Sequence, residues 1–258
     1  MRKLLTFSYG LVSYLIFFGT FLYAIGFVGN LVVPKSIDSG APVSLTEALL
    51  IDALLLGVFA VQHSVMARPG FKQWWTRYIP RPIERSTYVL LASLALILLF
   101  WQWRPMLAAV WTVENSIGRT ILWALFAFGW ALVLLTTFLI NHFELFGLRQ
   151  VYLYLRGVEH EEVGFRTPFV YKLLRHPLML GFIIAFWATP AMTLGHLFFA
   201  LGTTAYILIA IQIEERDLVH FHGAHYEEYQ KQVSMILPLP KMKKELQRDS
   251  DARPVQLK

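Results

Sequence analysis

Long apolar segments recur along the whole chain. They cover residues 4–33, 48–66, 87–103, 117–140, 177–190 and 193–213. A helix needs roughly 20 apolar residues to cross the hydrocarbon core of a bilayer, so most of these segments predict transmembrane helices. The segment that starts at Pro177 is shorter. We expect it to form one half of a tight helical hairpin with the last segment, turned at Thr189-Pro190-Ala191.

The composition fits a protein whose outer surface meets lipid. Of the 258 residues, 56% are hydrophobic and only 16% are charged, and the mean hydropathy is +0.51; a typical soluble domain has about 25% charged residues. We therefore predict an all-α, polytopic integral membrane protein with five to six transmembrane helices, including a C-terminal helical hairpin, plus amphipathic cytoplasmic helices. Cysteine is absent, which excludes disulfides, thiol nucleophiles and thiolate metal sites.

Basic residues alternate between the segments that connect these helices. Four segments are rich in basic residues. The first has Arg2 and Lys3, the second Arg68, Lys72, Arg77, Arg81 and Arg85, and the third Arg149, Arg156, Arg166, Lys172 and Arg175. The fourth is the C-terminal segment, with eight Lys and Arg from Arg216 to Lys258. The loops between them have few basic residues: Lys35 in one, and Arg104 and Arg119 in the other. Lys and Arg stay on the cytoplasmic side, so both termini are predicted to be cytoplasmic. This also explains the net charge of +6 without a nucleic-acid partner.

Two cytoplasmic segments mix aromatic and basic residues. Phe71, Trp74, Trp75 and Tyr78 accompany Lys72 and Arg77, and residues 145–155 have a similar pattern. Such segments are typical of helices that lie at the lipid headgroups, so membrane lipid is an expected partner. We divide the chain into transmembrane helices one to four (1–140, with the cytoplasmic loop 67–86), a cofactor-binding region (141–240) and a charged tail (241–258).

Polar clusters stand at the cytoplasmic ends of three predicted helices. They are Gln62-His63-Ser64 with Arg68, Asn141-His142-Phe143-Glu144, and Glu214-Glu215-Arg216-Asp217. Ionisable groups at membrane depth are costly and usually face a cavity or a partner, so we expect the clusters to converge on one pocket open to the cytoplasm. Two carboxylates at a helix C-terminus also oppose the helix dipole, a cost that a cationic ligand or Arg175 would offset. Asp52 lies in the outer half and is read as structural.

Two motifs in the last third of the chain resemble a known family. Arg175-His176-Pro177-Leu178-Met179-Leu180-Gly181 is similar to the Arg-His-Pro-x-Tyr-x-Gly motif of the isoprenylcysteine carboxyl methyltransferase-like membrane methyltransferases, and Glu214-Glu215-Arg216-Asp217-Leu218 is similar to their Glu-Glu-x-x-Leu motif. Tyr226, Tyr229 and Pro238 match downstream positions. Met179 stands where the family has Tyr, and the approach to the motif reads Thr167-Pro168-Phe169-Val170-Tyr171.

Three further segments narrow the resemblance to the bacterial methanethiol S-methyltransferases. They are Gln62-His63-Ser64-Val65-Met66-Ala67-Arg68, Glu84-Arg85-Ser86-Thr87-Tyr88, and the ten residues from Asn141 to Gln150. The resemblance then covers nearly the whole chain. It implies a multi-pass protein of the bacterial inner membrane in which S-adenosyl-L-methionine methylates methanethiol to dimethyl sulfide. No obligatory protein partner is implied.

The resemblance also implies residues for the cofactor. Arg175 and His176 would hold the carboxylate of S-adenosylmethionine, since Arg offers two parallel donors, and Glu214 or Glu215 would take its ammonium or a ribose hydroxyl. Pro177 begins a helix whose free amides would point at the same anion. The remaining candidates are Tyr171, Met179 and Tyr226, which would pack on the ligand, and Gly181 of the motif. The alternative is a structural Arg–Glu pair that clamps the hairpin.

The thiol must lose its proton, because a thiol is a poor nucleophile. His142 is the first candidate base and His63 the second. Arg85 or Arg68 could instead stabilise the thiolate. Tyr88 and Asn141 are candidates to position it, and Glu144 belongs to the same cluster. An ordinary polar cap is the alternative for each of these residues.

Other functions remain open at this point. The acceptor could be an isoprenylcysteine carboxylate or a phospholipid amine, which would need a lipid-sized groove. A different class is a membrane protein that holds haem or a metal ion through His63 and His142. His220, His222 and His225 also have a spacing compatible with metal ligands, but their surroundings favour a cytoplasmic cap over the cofactor, so no metal is predicted.

Overall fold

The computed structural model describes residues 1–41, 43–161 and 167–238. Its helices are α1 (Arg2–Gly29), α2 (Leu45–Ala67), α3 (Pro69–Trp75), α4 (Arg81–Gln102), α5 (Ser116–Ile140), α6 (His142–Leu145), α7 (Leu148–Arg156), α8 (Pro177–Trp187), α9 (Leu194–His222) and α10 (Ala224–Gln232). The strands are β1 (Ala109–Thr112) and β2 (Ala191–Thr193), and a 3₁₀ helix covers Phe169–Lys172. The protein is therefore helical, as predicted, apart from one small sheet. The predicted tail 241–258 lies outside the described residues.

Five of the described helices are long and apolar enough to cross a membrane, namely α1, α2, α4, α5 and α9. Large apolar side chains remain exposed along them, for example Leu54 on α2 and Ile209 on α9. Exposed apolar surface of this extent is expected where helices face lipid. Helix α8 is also apolar but shorter, and it precedes α9 in the chain, as the hairpin prediction requires. The chain is a multi-pass integral membrane protein.

The ends of three helices differ from the predicted segments. The first helix ends at Gly29, followed by Asn30 in the left-handed conformation, rather than running to residue 33. Helix α4, which corresponds to the predicted segment 87–103, already starts at Arg81, because a proline in the first turn is compatible with a helix start. The last long helix continues to His222, well past residue 213. Glu214 and Glu215 therefore lie inside α9, and the expected conflict with the helix dipole does not arise.

The predicted turn between α8 and α9 is part of the small sheet. Strand β2 pairs antiparallel with β1, with Thr112 opposite Ala191 and Ala109 opposite Thr193. Val113 also donates its amide to the Pro190 carbonyl at 2.8 Å. The pairing satisfies backbone groups in two of the connections between helices. This sheet was not predicted, because each strand is only three or four residues long and stands next to a long apolar helix.

The short helix α8 packs very closely on α5. A Cβ on Gly129 would lie 2.7 Å from the Gly181 carbonyl oxygen, and one on Gly181 would lie 2.8 Å from the Gly129 carbonyl oxygen. Small residues at such a contact let two helix backbones approach each other in a membrane. This contact fixes the Arg-His-Pro motif, which stands at the start of α8, relative to the transmembrane bundle.

The chain after α10 returns to the start of α8. Arg175 and His176 donate their amides to the carbonyls of Ser234 and Met235, at 2.9 and 3.0 Å. Leu174 and Ser234 form a parallel bridge. The first two residues of the Arg-His-Pro motif are therefore held against the C-terminal segment.

The predicted amphipathic cytoplasmic helices correspond to α3 and α7. On and just after α3, Trp74 and Tyr78 are exposed, which agrees with an interfacial position. Helix α7 turns Val151, which is fully buried, against Gly10 of α1. Its predicted start at residue 145 is three residues early, because Gly147 adopts the left-handed conformation before the helix begins.

Candidate functional site

Arg175 and Glu215 form a two-pronged ion pair. Arg175 Nε donates to Glu215 Oε1 at 2.6 Å, and its Nη2 donates to Oε2 at 3.1 Å. The Nη1 group donates to the carbonyls of Gln230 and Val233. Both side chains are buried. This arrangement matches the alternative of a structural Arg–Glu clamp, because the guanidinium is already engaged on three of its sides.

His176 shares the same carboxylate. Its Nε2 lies 3.0 Å from Glu215 Oε1, and its Nδ1 lies 3.8 Å from Glu214 Oε2. It is also the residue before Pro177, which occupies the first turn of α8, and this helix start carries no side-chain cap. The amides at such a start favour an anion. His176 and Pro177 therefore lie where the sequence analysis placed an anion site.

Glu214 differs from its neighbour in exposure. Its side chain is 47% exposed, whereas that of Glu215 is 10% exposed. Glu215 is saturated by Arg175, His176 and Gln230, the last at 2.9 Å. Of the two candidates for a cationic ligand group, Glu214 is the accessible one.

Three tyrosines lie within electrostatic range of this carboxylate pair. Tyr229 donates its hydroxyl to the Tyr171 carbonyl, and the rings of Tyr226 and Tyr229 lie 5.7 Å apart. Burial raises the pKa of Tyr229 to about 12 and also raises the pKa values of Tyr171 and Tyr226. All three phenols therefore stay protonated at neutral pH and act as neutral packing groups. Tyr171 and Tyr226 are themselves buried.

Two motif residues face elsewhere in the fold. Gly181 packs on Gly129 of α5 and has no room for a ligand between the helices, so its place in the motif reflects helix packing. Met179 packs against the buried cluster of Ile207, Ile211 and Ile236. The expectation that these two residues touch the cofactor lacks support from the structure.

A second cluster lies between α2, α4 and α9. The Tyr88 hydroxyl is 3.0 Å from His63 Nδ1 and Nε2. Arg85 stands over the Tyr88 ring, 5.0 Å from its centroid, and donates its Nε to the Leu145 carbonyl at 2.7 Å. Both Arg85 and Arg68 lie within electrostatic range of His63. The structure therefore brings together an imidazole, a phenol and two cations from the predicted thiol site.

This second cluster includes residues that the sequence analysis did not select. Tyr206 of α9 shares a hydrogen bond with Ser64 at 3.1 Å and stands edge-on to Phe59, which in turn stacks on His63. Tyr206 could have been recognised in the sequence as a phenol within the last apolar segment, two helical turns before Glu214. The aromatic rings around His63 make an apolar wall beside its imidazole.

Glu214 connects the two clusters. Its carboxylate lies within electrostatic range of the Tyr171 hydroxyl on one side and of the Tyr88 and Tyr206 hydroxyls on the other. Two of the three predicted polar clusters thus converge, as expected. The described site has a carboxylate between a helix start that favours an anion and a cluster of cationic and aromatic side chains around His63.

The side chains of the third predicted cluster are engaged in hydrogen bonds and ion pairs of their own. His142 is 3% exposed, and its nitrogens bond to Tyr14 at 2.9 Å and to Thr137 at 2.8 Å. It stacks on Phe138 at 4.2 Å. Burial lowers its pKa, so it stays neutral. Both ring nitrogens are engaged by the Tyr14 and Thr137 hydroxyls, which agrees with the alternative of an ordinary polar cap.

Asn141 and Glu144 are structural in the same way. Asn141 accepts from the Glu144 amide and caps α6. Glu144 pairs with Arg149 at 2.9 Å and with His160 at 2.6 Å. These contacts hold the segment after α5 and agree with the alternative of polar caps.

Asp52 has the structural role expected of it. It is fully buried, and its Oδ1 accepts the Arg104 amide at 2.9 Å. Among residues 1–41, 43–161 and 167–238, no group of three His, Asp or Glu side chains lies close enough to hold a metal ion.

Comparisons with known proteins place the chain in a family. The profile of the NnrU protein family matches residues 50–233. A methanethiol S-methyltransferase of Mycobacterium tuberculosis is 59% identical over 240 residues, which is 93% of this chain and 98% of the relative. Methanethiol S-methyltransferase 2 of Bradyrhizobium diazoefficiens is 56% identical over 230 residues, 89% of this chain and 88% of the relative.

More distant likeness extends to animals. The mouse protein Nurim is 30% identical over 184 residues, which is 68% of this chain and 70% of that protein. No solved structure matches the chain. The high identity to several bacterial relatives spans both clusters of the site, and the chain belongs to the NnrU family and to the methanethiol S-methyltransferases.

Proposed function

We propose that the chain is a membrane-embedded methyltransferase that moves a methyl group from S-adenosyl-L-methionine to the sulfur of methanethiol, giving dimethyl sulfide and S-adenosylhomocysteine. The relatives named methanethiol S-methyltransferase, 51–59% identical, support the reaction and the acceptor. The observation that carries the site is the position of Glu214, an accessible carboxylate between the start of α8 and the cluster around His63.

The described residues suit the charged groups of S-adenosylmethionine. The uncapped start of α8 suits the carboxylate of the ligand, and Glu214 suits its ammonium or its sulfonium. Arg175 and Glu215 are assigned a supporting role, because they already satisfy each other and hold the segment before Pro177. When bound, the cofactor supplies an electrophilic methyl group on a positively charged sulfur.

The cluster around His63 is proposed to bind methanethiol. His63 is the candidate to take the thiol proton, with Tyr88 hydrogen-bonded to it. Arg85 favours the thiolate through its charge. Phe59, Tyr206 and the neighbouring apolar wall suit a small apolar acceptor. Because methyl transfer is an in-line displacement, fixing the thiol opposite the methyl group contributes much of the rate.

The proposed orientation puts the site and both termini in the cytoplasm, as the basic loops indicate. Charged S-adenosylmethionine then arrives from water, while methanethiol and dimethyl sulfide partition through the bilayer. Residues 141–240 provide the cofactor half, and α2 and α4 of the region 1–140 provide the thiol half.

The test uses the purified full-length protein in detergent or lipid. Given S-adenosylmethionine labelled on the methyl group and methanethiol, it should form volatile labelled dimethyl sulfide. A prenylated cysteine and a phospholipid amine serve as competing acceptors. Label in either of these, with none in dimethyl sulfide, would assign a different acceptor. No methyl transfer to any of them would exclude the proposed function.

A further inference from the structure

An ion pair joins the two helices that carry the two halves of the site. Arg68, at the end of α2, donates its Nη1 to Asp217 Oδ2 of α9 at 2.6 Å. Its Nε also donates to the Ser64 carbonyl at 3.1 Å, so the guanidinium is held on both sides. The sequence made Arg68 a candidate to stabilise the thiolate, but the Nη1 and Nε groups of Arg68 donate to Asp217 and to its own helix.

The positions of both residues link the pair to the chemistry. Asp217 follows Glu214 by three residues on α9, so the two side chains lie on one helix face. Arg68 follows His63 by little more than one turn at the end of α2. Arg68 also lies within electrostatic range of His63, Tyr88 and Tyr206. The pair therefore sits beside both the proposed base and the proposed cofactor carboxylate.

Stability alone does not account for this pair. The Arg68 and Asp217 side chains are 32% and 35% exposed, and ion pairs with that much solvent access add little to folding stability. By contrast, the buried Arg175–Glu215 pair holds the chain within one half of the site. The Arg68–Asp217 pair reaches across the two halves.

We propose that Arg68 and Asp217 are positioning residues for methyl transfer, forming a clamp that sets the separation of α2 from α9. The inference rests on the proposed function, because the distance it controls is that between the thiol beside His63 and the methyl donor beside Glu214. An in-line displacement tolerates little error, and a misplacement of about 1 Å costs about 100-fold in rate. The clamp acts through His63 and Glu214 and touches neither reactant.

The test compares Arg68→Met, Asp217→Asn, the double variant and Arg68→Lys in the full-length protein. We expect each single neutral variant to lower kcat by about 10- to 100-fold while the KM values for both substrates and the melting temperature barely move. The double variant should be no slower than the slower single variant, because both remove the same contact. Arg68→Lys keeps the charge and should recover most of the activity.

The matched control is Glu228→Gln, which breaks the exposed Lys231–Glu228 pair on α10 and should leave kcat unchanged. Wild-type protein that forms no dimethyl sulfide would count against the proposed function itself. If the wild type is active, then losses that multiply in the double variant, or full activity of both single variants, would overturn the clamp. A loss of kcat that follows a fall in melting temperature would assign the pair a structural role and would also overturn it.

Discussion

Gly181 of α8 lies directly against Gly129 of α5, with each backbone occupying the space that a Cβ on the other would need. The contact sets the depth of α8 in the bundle and hence the height of the Arg-His-Pro motif. The glycine of the motif is thereby explained by packing between two helices. The proposed anion site lies at the first turn of the same helix.

Gly181→Val should destabilise the protein. The added side chain has to push apart two helix backbones, and overpacking of this kind costs about 1–3 kcal/mol. Thermal unfolding in detergent, followed by the loss of monodisperse protein, measures the effect. Gly57→Ala is the control, because a Cβ at Gly57 meets nothing within 4 Å and Ala favours a helix. Equal melting temperatures for Gly181→Val and wild type would contradict the packing role.

Removal of one member of the buried Arg175–Glu215 pair should be strongly destabilising. Arg175→Met leaves a buried carboxylate without its partner, at a cost of about 3–5 kcal/mol. The double variant Arg175→Met with Glu215→Met removes both charges and should recover much of the stability. If the folded double variant still binds S-adenosylhomocysteine in calorimetry, Arg175 acts as a structural clamp. Loss of binding in a fully folded double variant would instead show that Arg175 contacts the cofactor.

Glu214→Gln should weaken cofactor binding without lowering stability. The carboxylate is accessible, and a hydrogen bond to a charged group contributes about 1.5–3 kcal/mol, equivalent to roughly 10- to 100-fold in the dissociation constant. Calorimetry with S-adenosylmethionine measures it. Glu227→Gln, on the exposed start of α10, is the control for loss of one negative charge. Unchanged affinity in Glu214→Gln would remove Glu214 from the cofactor site.

His63 and His142 should respond differently to substitution. His63→Gln removes the proposed base and should lower kcat by about 10²- to 10⁴-fold with the cofactor affinity preserved. His142→Gln should change kcat far less, because His142 is bonded to Tyr14 and Thr137 outside the site. Initial rates of dimethyl sulfide formation at saturating substrates decide between them. A larger loss of kcat in His142→Gln would restore His142 as the base.

The stability of the protein should fall in acid partly through His142. Burial lowers the pKa of His142, so below the ordinary His pKa of about 6.5 the unfolded chain binds a proton that the native state resists. Its contribution is complete above that pH and is lost as the pH falls toward the lowered native pKa. Melting temperatures between pH 8 and pH 5 should fall less steeply in His142→Gln than in the wild type. Parallel pH profiles would contradict this.

Tertiary structure alone decided the partners of the polar residues. His63, His142 and Glu214 all stand at or near the ends of apolar segments of the sequence, and the hydropathy pattern does not distinguish them. Only the packing of α2, α4 and α9 puts His63 beside Tyr88 and leaves His142 against α1. In the same way, Glu214 and Glu215 are neighbours in sequence, but successive side chains of a helix point in different directions. Glu215 therefore reaches Arg175, whereas Glu214 stays accessible.

The sequence by itself determined the membrane-spanning helices and the resemblance to bacterial methanethiol S-methyltransferases. This was possible because a bilayer demands long uninterrupted apolar segments, and because the motifs are contiguous. It could not determine the β1–β2 pairing, the Gly129–Gly181 contact or the Arg68–Asp217 pair. Each of these joins residues distant in sequence, so it depends on how the helices pack. The start of the Arg-His-Pro helix was evident from its sequence, and the fold assigned Glu215, rather than a ligand, as the partner of its arginine.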